Sequence, residues 1–190
     1  MKFDIVSYNG LIDKKDLFNY STGCKGLDDF ILKEVDGLEK ANNTALSIAY
    51  YNDTIVGMYA LSVTQTMVSN DHTEKAFGKE CDRKPLLSLD HFSVNKLLQY
   101  DPCKNKDEQL NIWKNLLFKI FELVVKMRNV YNIAVAGIFV SALPEAVDWY
   151  CKQGFDFISD IERDAVNQEH YLMIIGYSFI EKAYFEAKSN

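Results

Sequence analysis

The sequence is poor in the groups that hold small secreted or metal-bound proteins together. Its four cysteines, Cys24, Cys81, Cys103 and Cys151, contain no C-x-x-C pair, and its three histidines, His72, His91 and His170, are scattered. Zinc sites need clustered thiolates and imidazoles, so no metal is expected. The opening MKFDIVSYNG places Asp4 and other polar residues where a secretory leader has its apolar run, so no leader is expected and the thiols should be reduced. Long hydrophobic runs are also missing: the best candidate, around Leu116 to Val125, is broken by Lys119 and Glu122. A bilayer demands roughly 20 predominantly apolar residues, so no membrane span and a cytoplasmic location are expected. Basic residues are outnumbered, 21 Lys and Arg against 27 Asp and Glu, for a net charge of −6. Nucleic-acid binding draws on counterion release from a basic surface, so a nucleic-acid partner is disfavoured and a cationic amine suits the charge better. With only three prolines, no repeat and no low-complexity tract to divide it, the chain of 190 residues should form one domain over 1–190. A homodimer is compatible with this composition.

What the chain does contain is alternating strand and helix signals. KFDIVSY alternates as a strand does, and GLDDFILKEVDGLEKAN sets Leu27, Phe30, Ile31, Val35 and Leu38 at helical spacing from Gly26 to about Asn42. TALSIAYY and TIVGMYALSVTQ flank Asn52-Asp53, which predicts a hairpin, and Ser69 to Arg83 reads as a long polar loop. LLSLDHFSVNK is a further strand. From Asp107 to Arg128 an apolar stripe through Leu110, Trp113, Leu117, Ile120, Phe121, Val124 and Val125 predicts a long helix. IAVAGIFVSAL has the near-continuous apolar character of a strand covered on both faces, and PEAVDWYCKQ a short helix opened by Pro144 and closed by Gly154. FDFISD and HYLMIIGYSFI read as the last two strands, separated by a polar loop. The order β-α-β-β-β-α-β-α-β-β defines an α/β (α+β) fold with a mixed sheet, not a regular doubly wound one.

Taken in order, three of these segments resemble the GNAT N-acetyltransferase family over roughly residues 1–178. DTIVGMYALSV is similar to the family's third strand, and LLSLDHFSVNK to its fourth. AVDWYCKQGFDFI is similar to its A-x-x-F-Y-x-x-x-G-F ending through Ala146, Trp149, Tyr150, Gly154 and Phe155. The front segment STGCKGLDDFILKE is similar to the branch that includes toxin-type aminoacyl-tRNA acetylators, with Leu27, Asp28 and Phe30 matching. The resemblance implies the GNAT acyl-CoA N-acyltransferase fold, a mixed central sheet of six or seven strands flanked by helices. It also implies transfer of acetyl from acetyl-CoA, as co-substrate, to a primary amine of a small molecule or protein.

The same resemblance assigns expected roles. Tyr150 stands where the family has the general acid that protonates the departing thiolate, and Asp90 where it often has a base or acid that orders a water. The backbone of Phe92, Ser93 and Val94 stands where the family holds the pantetheine arm. Ser141 ends the fifth strand on the coenzyme side, beside Leu143, where many members have Asn. The interval LLQYDPCKNKDEQLN departs from the family's phosphate loop, Q/R-x-x-G-x-G/A, by having no glycine at all. Glycines let backbone N–H groups approach phosphates, so here Lys104 and Lys106 would carry that charge by side chain, against Asp107 and Glu108. The glycine-free loop and Leu143 leave an alternative open: a catalytically inactive GNAT-fold binding or regulatory module that has lost coenzyme affinity. Cys151, beside Tyr150 but without a partnered histidine, reads as structural.

Overall fold

Asn52 and Asp53, with φ of 49° and 58°, close a two-residue turn between β2 (Ala45–Tyr51) and β3 (Thr54–Met67). Two successive positive φ values match the right-handed twist of a hairpin, and Asn and Asp tolerate them better than most residues. The computed structural model describes residues 3–8, 14–67, 83–99, 103 and 110–189. Among these, seven strands form one mixed sheet in the order β1-β2-β3-β4-β5-β7-β6. The chain packs as two compact units, 1–62 with 90–119, and 63–89 with 120–190.

In the first unit β1 (Asp4–Ser7) pairs antiparallel with β2, and β2 with β3 across a register shift at Ala49/Tyr50. The single helix expected from Gly26 is divided: α1 (Lys25–Asp29), a π-helical turn (Phe30–Glu34) and α2 (Val35–Lys40). Ile31 and Val35 are buried with Tyr8, Leu17, Tyr20, Leu46, Ile48 and Met58. Gly57 is required for close packing: a Cβ there would stand 2.8 Å from the Ser93 carbonyl oxygen and 3.0 Å from Leu116. β4 (Arg83–Val94) and α3 (Ile112–Asn129) each have residues in both units. The expected start of the long helix at Asp107 lies outside the described residues, as does most of the Ser69 to Arg83 loop.

In the second unit β4 pairs parallel with β5 (Gly137–Ala142), from Leu86↔Gly137 to Leu89↔Val140, as a strand–helix–strand connection of this length requires. β5 pairs antiparallel with β7 (Tyr171–Gly176), which also takes β6 (Asp156–Phe157). Pro144 opens a 3₁₀ turn, Pro144–Ala146, leading into α4 (Val147–Lys152). Two expectations are corrected here. FDFISD is a strand for only two residues, because the Ser159 hydroxyl accepts from the Glu162 N–H and starts α5 (Asp160–Asp164) in what reads as a polar loop. HYLMIIGYSFI is not one strand. It ends at Gly176, and α6 (Tyr177–Ser189) follows, because Ile180 and Tyr184, one helical turn apart, are the residues that find cover.

Candidate functional site

The site residues on β4 are sorted by strand alternation. Pairing with β5 ends at Leu89↔Val140, and β4 continues to Val94. Asp90, Phe92 and Val94 share one face, His91 and Ser93 the other. Asp90 is exposed, and its two carboxylate oxygens accept hydrogen bonds from Thr44 Oγ1 at 2.8 Å and Ser62 Oγ at 3.0 Å. Phe92 packs edge-on against Trp113 with ring centroids 5.3 Å apart, and Val94 is fully buried.

The opposite face carries a buried polar chain. Ser93 Oγ lies 2.7 Å from the Tyr20 hydroxyl and 2.7 Å from His91 Nε2. The His91 ring stacks on Phe30, centroids 4.8 Å apart, and is 2% exposed. Burial drives its pKa down to about 4, opposed by the charge of Asp28. Burial likewise pushes the Tyr20 phenol up; the Ser93 bond opposes this and Asp28 adds to it. Burial would push the Asp28 carboxyl up, but hydrogen bonds from the Thr22 N–H and the Thr22 and Ser21 hydroxyls, with Lys96 nearby, leave its pKa lowered.

Beyond β4 the chain is tied to the same region. The Asn95 N–H donates to Val56 O, and the Lys96 N–H to Ser21 O at 2.8 Å. Gln99 Nε2 donates to the carbonyls of Thr22 and Val94 at 2.9 and 3.1 Å. Lys104 and Lys106, with Asp107 and Glu108, lie outside the described residues.

In the second unit Tyr150 is set by the end of α4. The Gly154 N–H donates to Cys151 O, and the Phe155 N–H reaches back five residues to Tyr150 O at 3.1 Å. With Gly154 at φ 92°, this is a Schellman motif, and its usual apolar contact is the Tyr150–Phe155 pair, 5.1 Å between centroids. The motif that aligns Tyr150, Gly154 and Phe155 in sequence is therefore a helix stop with one aromatic on each side. Tyr150 is 5% exposed, and burial raises its phenol pKa. No described residue hydrogen-bonds its hydroxyl. Among the described residues His91 Nδ1 is the sealed, unpartnered side-chain polar atom; the Tyr150 oxygen, also without a partner among the described residues, is not fully sealed. Ser141 is exposed near the end of β5, opposite Leu172. Cys151 is exposed, and burial with the charges of Asp156 and Asp148 raises its thiol pKa, the wrong direction for a nucleophile.

The structure therefore places Asp90 and Phe92–Val94 together in one unit, and Ser141 with Tyr150 in the other. Tyr20, Thr44 and Ser62 are missed by sequence reasoning; they reach β4 from 28 to 73 residues away, at separations no local pattern encodes. Among the described residues no three His, Cys, Asp or Glu side chains converge as a metal site, and no helix is long and apolar enough to cross a membrane.

A parallel β4–β5 pair inside a mixed seven-stranded sheet is the arrangement of the GNAT acetyltransferases, and the chain has that fold. No protein-family model and no curated protein matches the sequence. Solved structures do. A bacterial toxin is 15% identical, with TM-score 0.71 over 96% of each chain. AtaT complexed with acetyl-methionyl-tRNAfMet is 16% identical, with TM-score 0.69 over 96% of this chain and 99% of that one. A tyrosine-to-phenylalanine mutant of the AtaT toxin, bound to the C-terminus of the antitoxin AtaR and acetyl-CoA, is 15% identical, with TM-score 0.69 over 97% and 99%. At such identities the likeness is one of fold.

Proposed function

We propose that the whole chain, 1–190, acts as one cytoplasmic acetyl-CoA-dependent N-acetyltransferase, passing acetyl directly to a primary amine with Tyr150 as general acid. The observation that carries this reading is the Tyr150 hydroxyl. A buried structural tyrosine is ordinarily hydrogen-bonded, whereas this ring is clamped by Phe155 and Trp149 and its oxygen is left for a partner from solution. A phenol whose pKa is raised by burial stays protonated, the form a general acid needs. A thiolate developing in the same dry site would be destabilised by the same desolvation, which makes it basic enough to draw the proton.

The residues present fit the coenzyme in part. β4 runs five residues past its last rung with β5, and backbone groups of Phe92–Val94 would hold the pantetheine as an added strand is held. Ser141, and Lys104 and Lys106 with their charge, would contribute further contacts. Acetyl-CoA, when bound, supplies the activated acetyl group. Asp90, held by Thr44 and Ser62, would orient a water or the incoming amine. The net charge of −6 favours a free or protein-borne amine as acceptor, although AtaT carries an aminoacyl-tRNA on the same fold.

One observation favours the second reading, a catalytically inactive binding or regulatory module that has lost coenzyme affinity: Leu143, where many members have Asn, caps the Pro144 turn and offers no side-chain donor. Calorimetry with acetyl-CoA, followed by mass-spectrometric transfer assays on a panel of amines, separates the two. Acetyl-CoA at 100 times its Kd should stabilise the fold by about 2.7 kcal/mol. Replacing Lys104 and Lys106 together with Ala should weaken binding and flatten its salt dependence. Absence of binding would sink the enzyme and leave the module that has lost coenzyme affinity, whereas binding followed by transfer would sink the module.

A further inference from the structure

Hydrogen-bond accounting fixes the tautomer of His91. The Tyr20 hydroxyl, protonated in its buried setting, has Ser93 Oγ as its hydrogen-bond partner. Its proton therefore goes to Ser93, and the Ser93 proton goes on to His91 Nε2, the other partner of that oxygen. Nε2 is then the acceptor and Nδ1 carries the ring proton. Either reversed arrangement strands a hydroxyl proton as well as Nδ1. The one remaining unmatched group is thus the Nδ1–H, sealed from solvent on a side chain only 2% exposed. Buried donors without acceptors are rare in folded proteins. This one sits under Phe30, the first residue of a π-helical turn, and such turns recur at functional sites.

We infer that Tyr20, Ser93 and His91 form a tautomer lock whose output, the His91 Nδ1–H, is a hydrogen-bond donor for a neutral carbonyl oxygen of the reactants. Asp28, the charge that acts on this ring, disfavours a carboxylate or phosphate there, which leaves an uncharged oxygen as the fitting acceptor. Phe30, stacked on the face of this ring, is only half-buried and leaves the in-plane direction of the N–H to other neighbours. The carbonyl has two sources, the acetyl thioester or a carbonyl beside the amine of the acceptor. The inference rests on the acetyltransferase reading and adds to it a positioning donor on the β4 face opposite Asp90.

The test uses the full-length protein labelled with ¹⁵N at histidine. Long-range ¹H–¹⁵N correlations should show His91 with a protonated Nδ1 and a bare Nε2; the opposite tautomer overturns the lock. Titration with acetyl-CoA, coenzyme A and glycinamide follows the Nδ1 resonance. A shift with acetyl-CoA but not coenzyme A assigns the thioester carbonyl, and a shift with glycinamide the acceptor. No shift with any of them, together with an exchange peak to bound water, makes an ordered water the sole partner and overturns the inference. In turnover assays His91→Leu should raise KM for the assigned reactant or lower kcat by at least about 10-fold, and His91→Asn, whose side-chain N–H stands near the place of Nδ1, should recover part of it. If the wild type is active and a folded His91→Leu matches it, the inference alone falls. A wild type inert toward acetyl-CoA removes the acetyltransferase reading and this inference with it.

Discussion

Tyr20 and Tyr150 are both 5% exposed, and in both burial raises the phenol pKa. They differ in what the hydroxyl touches. Tyr20 shares a hydrogen bond with Ser93 within a buried polar chain in the first unit, while Tyr150 in the second unit is ringed by aromatics and its oxygen has no protein partner among the described residues. Burial and pKa alone would rank the two alike. The hydrogen-bond partner separates a tyrosine that is used by the fold from one kept for chemistry.

The sharpest way to break this contrast is Tyr150→Phe. The change removes one oxygen and no hydrogen bond among the described residues, so acetyl transfer should fall by roughly 10²–10⁴-fold while denaturant midpoints and coenzyme affinity stay close to wild type. A clear loss of stability without loss of turnover would make Tyr150 the structural tyrosine after all. Next in size is an acid titration of the first unit. With its folded pKa lowered to about 4 from 6.5, His91 takes up a proton more readily in the unfolded chain. Its contribution is therefore intact above pH 6.5 and lost as the pH falls towards 4, by about 3 kcal/mol in all. Chemical denaturation across that range should show the slope, and His91→Leu should flatten it.

Tyr20→Phe should cost about 1–3 kcal/mol, because Ser93 loses the donor that closes its chain. Because Tyr20 sets the Ser93–His91 chain, the same change should also raise KM or lower kcat for acetyl transfer, and values near those of the wild type would make Tyr20 only structural. The smallest effect is expected at Gly154→Ala. A Cβ there would meet only Ile175 Cδ1 at an ordinary 3.5 Å, so the cost is that of a φ of 92° in an L-residue, about 1–2 kcal/mol. Thermal melts would register it. A larger drop would mean that the helix stop also positions Tyr150 against the rest of the second unit.

Much of the architecture was legible where local chemistry decides. The Asn52-Asp53 turn, the apolar stripe of α3, the Pro144 start and the Gly154 stop each follow from the residues at those positions, and the parallel pairing of β4 with β5 follows from the helix between them. Reading failed at α5, which lies in a stretch that reads as polar loop. It failed also at α6, where HYLMIIG and YSFI run together as one β-rich stretch and the switch at Gly176 depends on which side chains find cover. The π-turn at Phe30 was hidden for the same reason, since a helical period does not show an inserted residue whose position is set by stacking on His91.

The site divides along the same line. The family resemblance carried by the sequence named Tyr150, Asp90 and Phe92–Val94, because the motifs that align them, a helix stop and a strand, are local and have fixed spacing. Only the tertiary structure decided what those residues do to one another: that Asp90 is held by Thr44 and Ser62, that Ser93 joins Tyr20 to His91, and that the Tyr150 hydroxyl has no partner among the described residues. Hydrogen bonds act over about 3 Å in space, and the chain brings those atoms to that distance only by folding segments far apart in sequence onto one strand.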